Sequence, residues 1–362
     1  MRREKEVKKK KGRTKRIVLI ILIAVLSLVL AALILGVAYV ESMMGLMGDA
    51  TKSTMSSAEI QEYLNTQPVE TVDATFTGPT LNAEDIEWGE HTDLIEQSEN
   101  VVNILLIGQD RRPGEGRARS DSMILCTLNK TTKSVTMTSF MRDTYVQIPG
   151  YSSNRINASY AWGGMELLDK TLERNFGVQV DGNVEVDFNG FISIVDLLGG
   201  VEIYLTADEA RYLNYSNNWN RNGEYEDEPD VHEGVNLLSG PRALAYARTR
   251  YVGNGDFGRT ERQRNLLTAI ADKAKSLSLF EFNRLLKAAL PLVTTDMSNA
   301  EIIGLALEVF PMLSELKINT QRIPVDGAYQ MTMIDGMSVL LPNLEKNRAA
   351  LQESMKEITE QP

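Results

Sequence analysis

An uncharged apolar run from Ile17 to Val40, with opposite charge on its two sides, constrains this chain more than any other feature. As a helix its twenty-four residues extend about 36 Å, enough to cross a bilayer. Ten Lys and Arg against Glu4 and Glu6 precede it in residues 1–16, whereas residues 41–100 carry thirteen Asp and Glu against Lys52. Cations before the span and acid after it orient the segment by the positive-inside rule, with the N-terminus cytoplasmic and the rest extracytoplasmic. Gly36-Val37-Ala38 loosely resembles a leader-cleavage site, but the apolar run is too long for a cleaved leader and reads as an uncleaved signal anchor.

The chain of 362 residues therefore divides into a basic cytoplasmic tail (1–16), a transmembrane helix (17–40), an acidic extracytoplasmic stalk or linker (41–100) and a folded domain (101–362). The linker is Met-, Ser-, Thr- and acid-rich, with a short helix expected at Ala58–Leu64 and a break at Gly78-Pro79. Cys126 is the only cysteine, so no intramolecular disulfide staples the domain, and its apolar strand context places it in the core. His91 and His232 are the only histidines, which leaves a His-rich zinc site and a Ser-His-Asp triad without their parts. No GxxxxGK[ST], HExxH or GxSxG string occurs. Any chemistry here must use Asp, Glu, Arg and a hard metal ion.

Order is expected to begin with a strand at Val101–Gly108 that halts at glycine and passes into the charged loop QDRRPGEGRARSD. Ser122–Leu128 and Ser134–Phe140 read as a hairpin joined by five residues, Asn129–Lys133. Its midpoint near Thr131 sets Asp121 opposite Met141, which brings Arg119 and Asp121 to the same open end as Arg142 and Asp143. If the first strand is antiparallel to the second, Asp110 and Arg111 emerge there too. Beyond the hairpin, helix and strand alternate: a helix at Gly164–Phe176, a strand near Val184–Phe188, a helix at Asn189–Leu198 and a strand at Val201–Leu205. Alternation of this kind predicts a layered α/β domain. A polar surface insertion (Asn214–Glu233) separates these from helices at Pro241–Arg250 and Gly258–Leu277; helices near Phe280–Leu290, Asn299–Leu313 and Pro342–Ile358 and a strand near Leu316–Ile323 complete the domain.

Many arginines of this acidic domain fall in three short segments: Arg111, Arg112, Arg117 and Arg119; Arg142; and Arg248, Arg250, Arg259, Arg262 and Arg264. For Arg112, Arg117 and Arg264 a solvated helix or loop residue is reading enough. Arg248 and Arg250 leave a helix for a Gly-rich loop, and Arg259, Arg262 and Gln263 share one face of the next helix's first turns. Cations at a helix N-terminus oppose the macrodipole by about 0.3–1 kcal/mol each, and an anion between them removes that cost. Free backbone N–H groups, the dipole and bidentate guanidiniums together suit phosphate, and this many arginines suit a diphosphate. Asp110 and Asp121 are either salt-bridge partners of these arginines or oxygen ligands of Mg²⁺ bridging the same phosphates.

The strings NILLIGQDRR, RSDSMILCTLNKTTKSVTMTSFMRDTYVQIPG, INASYAWGG, VDFNGFISIVDLLGGV, LSGPRALAYARTR and GDFGRTERQR resemble the LytR-CpsA-Psr family of bacterial cell-wall ligases, with every block in order over about residues 101–277. One departure is Gln109, where the family often has Ser; it bears on loop geometry more than on chemistry. The resemblance implies a mixed central sheet flanked by helices, with an apolar pocket for a polyprenyl chain. It implies a membrane-anchored phosphotransferase that moves an anionic glycopolymer, of the teichoic acid or capsular polysaccharide class, from a polyprenyl-pyrophosphate carrier to a peptidoglycan hydroxyl. Matched by motif, Asp110 and Asp121 hold Mg²⁺ or Mn²⁺; Arg119, Arg142, Arg248, Arg250, Arg259 and Gln263 bind pyrophosphate; Arg111 and Asp143 lie near the reacting phosphate. Beside Arg142 the Asp143 pKa is expected to fall, which favours an orienting role over that of a base. The rivals are a polyprenyl-pyrophosphate hydrolase with the same metal and arginines, and a non-catalytic receptor for lipid-linked precursors. A nucleic-acid partner is not expected, because topology and anionic lipid explain the basic tail.

Overall fold

The computed structural model describes residues 48–49, 78–89, 93–109, 117–215 and 228–356. The expected tail, the 17–40 span, the Ala58–Leu64 helix and the loop residues Asp110, Arg111 and Arg112 lie outside the described residues. Among those described, no helix is long and apolar enough to cross a membrane.

A mixed seven-stranded sheet forms the centre. Its order is β1 (Gly48–Asp49), β11 (Val293–Thr295), β8 (Gly182–Asp187), β3 (Val101–Gln109), β4 (Ser120–Asn129), β5 (Ser134–Phe140) and β12 (Lys317–Ile323). β3 runs antiparallel to β4 and parallel to β8, and β5 runs antiparallel to β4 and parallel to β12. Leu105, Ile107, Met123, Leu125 and Phe140 face α1 (Asn157–Phe176) and α8 (Leu344–Met355), burying Trp162, Leu168, Leu172, Phe176 and Leu351. Apolar burial on this scale, at roughly 25 cal/mol per Å², is the main favourable term in folding.

A second core joins α2 (Phe188–Leu197), β9 (Val201–Leu205), α3 (Ala207–Asn214), β10 (Gly234–Leu238), α4 (Gly240–Arg248) and α5 (Gly255–Lys275) around Val195, Ile203, Leu213, Leu238, Tyr246 and Leu266. Gly240 allows α4 to lie directly on α2, because a Cβ there would come 2.3 Å from the Ile192 carbonyl. α6 (Leu279–Ala289) and α7 (Asn299–Val309) follow. β2 (Thr80–Leu81) adds to the hairpin of β13 (Tyr329–Ile334) and β14 (Met337–Pro342), and β6 (Tyr145–Val146) pairs with β7 (Asn154–Arg155). Residues upstream of β3 also pack here: Ile95 is buried in the first core and Trp88 stacks on Tyr145.

Several expectations need correction. The β4–β5 connection is four residues, 130–133, and the register pairs Asn129 with Ser134. Continued outward, that register sets Arg142, not Met141, across from Asp121. The helix expected from Gly164 begins at Asn157; Gly164, at φ +66°, ψ −152°, is a kink between two helical pieces, packed against the Arg117 guanidinium. The polar insertion is flanked by α3 and β10, neither of them expected. α3 starts at a capping box, Thr206 with Glu209, and the β13–β14 hairpin turns at Asp335-Gly336 with φ values of 49° and 76°.

Candidate active site: a carboxylate and arginine cluster

Three separate chain segments deliver the cluster. Asp121 enters from the start of β4, Arg142 and Asp143 follow the end of β5, and Arg250, Asp256 and Arg259 come from the loop after α4 and the first turns of α5. The α4–α5 loop is shaped by Arg262. This buried guanidinium pairs with Glu209 (2.6 Å) and donates to the carbonyls of Thr249 (3.0 Å) and Val252 (2.6 Å). Arg262 is therefore committed to structure, although its spacing put it on the face of Arg259. Arg117 lies over the Tyr160 ring, and Arg264 is buried elsewhere on α5.

Arg142 is the hub. Its Nη1 lies 3.0 Å from Asp121, its Nη2 3.3 Å from Asp256 and its Nε 3.5 Å from Asp143. Burial alone lowers its pKa, but the carboxylates of Asp143, Asp256 and Asp121 outweigh that and raise it. Asp256 also takes Arg250 Nε at 3.4 Å and Arg259 Nη1 at 3.3 Å. Burial raises the Asp256 pKa, yet Arg259, Arg142 and a hydrogen bond with Asp143 prevail and hold it below the ordinary range. Sequence reasoning passed over Asp256. The available signal was an acid in the first turn of a helix whose next turns carry arginine.

Asp143 departs from expectation. Its pKa is raised, because burial and the hydrogen bond shared with Asp256 outweigh Arg142 and Arg155, the latter 3.3 Å away. Arg259 is 2% exposed; its Nε has no hydrogen-bond partner among the described residues, and its Nη1 meets Asp256 as an ion pair at 3.3 Å without hydrogen-bond geometry. Burial first, then Arg142, lower its pKa to about 10. A buried guanidinium with an unpartnered N–H is costly unless a further acceptor completes it.

The structure places the remaining expected residues less centrally. Arg248, exposed at the end of α4, lies over the Phe188 ring at 4.3 Å. Gln263 is one helical turn beyond Arg259, and Arg119 directly precedes β4, two residues from Asp121. Gln109 is buried at the end of β3, donates to Glu185 and accepts from the Ala118 N–H at 3.2 Å. It thereby joins the two ends of the loop that carries Asp110 and Arg111.

Among the described residues no group of three or more His, Cys, Asp and Glu gathers as a metal cage. Mg²⁺ does not require one, since it is held by one or two carboxylates together with substrate phosphates and water. Asp121, partly exposed and facing two arginines, supplies the hard oxygen donor such a site needs.

Arg250 is 41% exposed and reaches Asp121 only at 3.7 Å. Arg250→Ala is accordingly expected to change apo stability by no more than about 0.5 kcal/mol, as read by thermal unfolding. A clear fall in unfolding temperature without ligand would contradict its assignment to an anion site.

The LytR_cpsA_psr family matches residues 50–357. Regulatory protein MsrR of Staphylococcus aureus is 31% identical over 72% of this chain and 76% of its own length. The polyisoprenyl-teichoic acid–peptidoglycan teichoic acid transferase TagU of Bacillus mycoides is 36% identical over 66% of this chain and 73% of its own. The crystal structure of B. subtilis TagT superposes with a TM-score of 0.55 at 26% identity, covering 78% of this chain and 98% of that one; TagT bound to LIIa-WTA gives 0.56 at 28%, covering 73% and 98%. These likenesses in sequence and in fold agree: the chain belongs to the LytR_cpsA_psr family.

Proposed function

We propose that the protein is a membrane-anchored phosphotransferase that moves an anionic glycopolymer from a polyprenyl-pyrophosphate carrier to peptidoglycan. The observation that supports this is Arg259, buried beside Arg142, Arg250 and Asp256 with its Nε unpartnered among the described residues, where a pyrophosphate would supply the missing acceptor. A relative 36% identical to this chain, TagU of Bacillus mycoides, is named as a teichoic acid–peptidoglycan transferase, which supports the cargo class. Teichoic acid is the first expectation and capsular polysaccharide the second.

In this reading Arg119, Arg142, Arg248, Arg250, Arg259 and Gln263 grip the pyrophosphate, and Asp110 and Asp121 would hold Mg²⁺ or Mn²⁺. The metal supplies charge neutralisation at the phosphate oxygens. An acceptor hydroxyl forms a bond to the sugar-linked phosphorus, the phosphoanhydride bond breaks, and polyprenyl phosphate leaves with the electron pair. Arg111 and Arg142 stabilise the charge that develops, while the acceptor proton passes to the Asp143 carboxylate. Its raised pKa makes Asp143 a better base than an ordinary carboxylate.

The carrier's chain suits the second face of the sheet. Along β3, Val101, Leu105 and Ile107 are buried, whereas the equally apolar Val102, Ile104 and Leu106 are only half-buried. Ile192, Leu267 and Ile270 on the helices are half-buried as well. The Ile17–Val40 span keeps the site beside a carrier that cannot leave the bilayer, with the catalytic domain extracytoplasmic.

The test is transfer by the full chain in nanodiscs from a polyprenyl-pyrophosphate-linked saccharide to peptidoglycan oligomers with Mg²⁺, followed by mass spectrometry. A phosphodiester adduct lost in Asp121→Ala and Arg250→Ala is expected. Polyprenyl phosphate released without an adduct would indicate a hydrolase, and binding without turnover a receptor.

The pH profile has a defined sign. Asp143 acts ionised, so the rate rises with pH through its raised pKa. Asp256→Asn removes the neighbouring carboxylate that accepts the Asp143 proton and repels its ionised form, so the acid limb is expected to move to lower pH. An unmoved limb would take Asp143 out of the proton transfer.

A further inference from the structure

From the cleft beside Asp143 we infer a binding site for a neutral saccharide chain, the strand that presents the acceptor hydroxyl. This role rests on the transferase reading above; the binding itself does not.

The segment from Tyr145 to Arg155 folds back on itself as β6 and β7, pairing Tyr145 with Arg155. The same Arg155 holds Asp143 at 3.3 Å. Along this segment lie two adjoining open hollows, of about 420 and 440 Å³, which share Ser153. Both volumes fall within the range of small-molecule sites, about 300–1,000 Å³. The cleft thus starts two residues from Asp143 by chain and one ladder pair from it in space.

Its walls suit sugar rings. Trp88 and Tyr151 are half-buried and each is braced by a fully buried ring: Trp88 stacks on Tyr145 (6.0 Å, 18°) and Tyr151 packs on Trp162 (5.6 Å, 48°). Rings held in this way offer rigid apolar faces at little entropic cost, and the C–H face of a pyranose lies flat on such a surface. Ser152, Ser153 and Gln147 add hydroxyl and amide groups that both donate and accept, as sugar hydroxyls do.

Charge selects among saccharides. The first hollow carries two carboxylates, Glu84 and Asp335, and the one guanidinium of the second, Arg174, already donates to Gln147 at 2.9 Å. A polyphosphate chain is repelled from the first hollow, whereas the guanidiniums of Arg142, Arg250 and Arg259 offer it donors. The two surfaces therefore sort the substrates, with the anionic donor on the arginines and an uncharged glycan in the cleft.

The experiment measures binding of chitotetraose, an uncharged N-acetylhexosamine oligomer, to the full chain in nanodiscs by calorimetry. Oligo(glycerol phosphate) serves as the anionic comparison and inorganic pyrophosphate as the probe of the arginine site. The wild type is expected to bind chitotetraose and not oligo(glycerol phosphate) in the cleft. Tyr151→Ala and Ser153→Ala, which removes only the hydroxyl, are expected to weaken chitotetraose by about tenfold, with pyrophosphate affinity unchanged as the sign of an intact fold. In transfer assays they raise the acceptor KM and leave the donor KM alone. No chitotetraose binding by the wild type, or binding that both variants retain, overturns the inference. Glycan binding that responds to the variants in a protein that transfers nothing supports the cleft and defeats the transferase reading instead.

Discussion

Arg262→Met is expected to destabilise the folded domain by about 3–5 kcal/mol, read from denaturant unfolding at unchanged m-value. The Arg262 side chain is 6% exposed and that of its partner Glu209 10%, so solvent screens neither. All three guanidinium nitrogens are engaged: Nε with Glu209, Nη1 with the Thr249 carbonyl and Nη2 with that of Val252. Methionine fills part of the space but leaves Glu209 with an oxygen facing a site that no longer holds a cation. Thr206 still donates to the other oxygen from its N–H (2.9 Å) and hydroxyl (3.0 Å), so the α3 capping box survives. Replacing Glu209 by Leu in the same chain should recover much of the loss, because the cost is the orphaned charge more than the absent bond. A loss below about 1 kcal/mol in the single variant would mean that water reaches the pair.

The same residue shows why the site was only partly legible. Helical spacing correctly set Arg259, Arg262 and Gln263 on neighbouring turns of α5, but spacing does not say which of them faces α3. That choice was made by Glu209, fifty-three residues upstream on a helix the sequence reading missed. Asp143 failed for a related reason. Its neighbour in sequence, Arg142, argued for a lowered pKa, whereas burial and Asp256, more than a hundred residues away, reverse the sign. By contrast, the β3, β4 and β5 strands and the β4–β5 hairpin were readable, because continuous apolar runs bounded by turn residues are local signals. The one-residue error in register came from counting a five-residue connection where four suffice, and it mattered: the true register is what faces Arg142 toward Asp121. The β13–β14 hairpin was within reach, since Asp335-Gly336 between apolar runs is a strong turn signal.

Arg142→Lys is expected to preserve the fold and lower transfer by about 10²–10³-fold, measured as kcat/KM with the lipid-linked donor. Lysine keeps the charge, so any loss must come from geometry. Arg142 meets Asp121, Asp143 and Asp256 through three different nitrogens of one planar group, at 3.0, 3.5 and 3.3 Å. An ammonium is a single compact donor on a flexible stem and cannot hold three carboxylates that approach from different sides. Asp121 would then turn toward Arg250, and Asp143 would lose the cation that positions it. The consequences separate: activity falls as Asp121 is no longer held, and the acid limb of the pH profile moves up because the ammonium sits farther from Asp143 than the guanidinium that favours its ionised form. A variant that transfers at the wild-type rate would show that Arg142 contributes charge alone. One that unfolds would show that the cluster serves the fold before it serves the substrate.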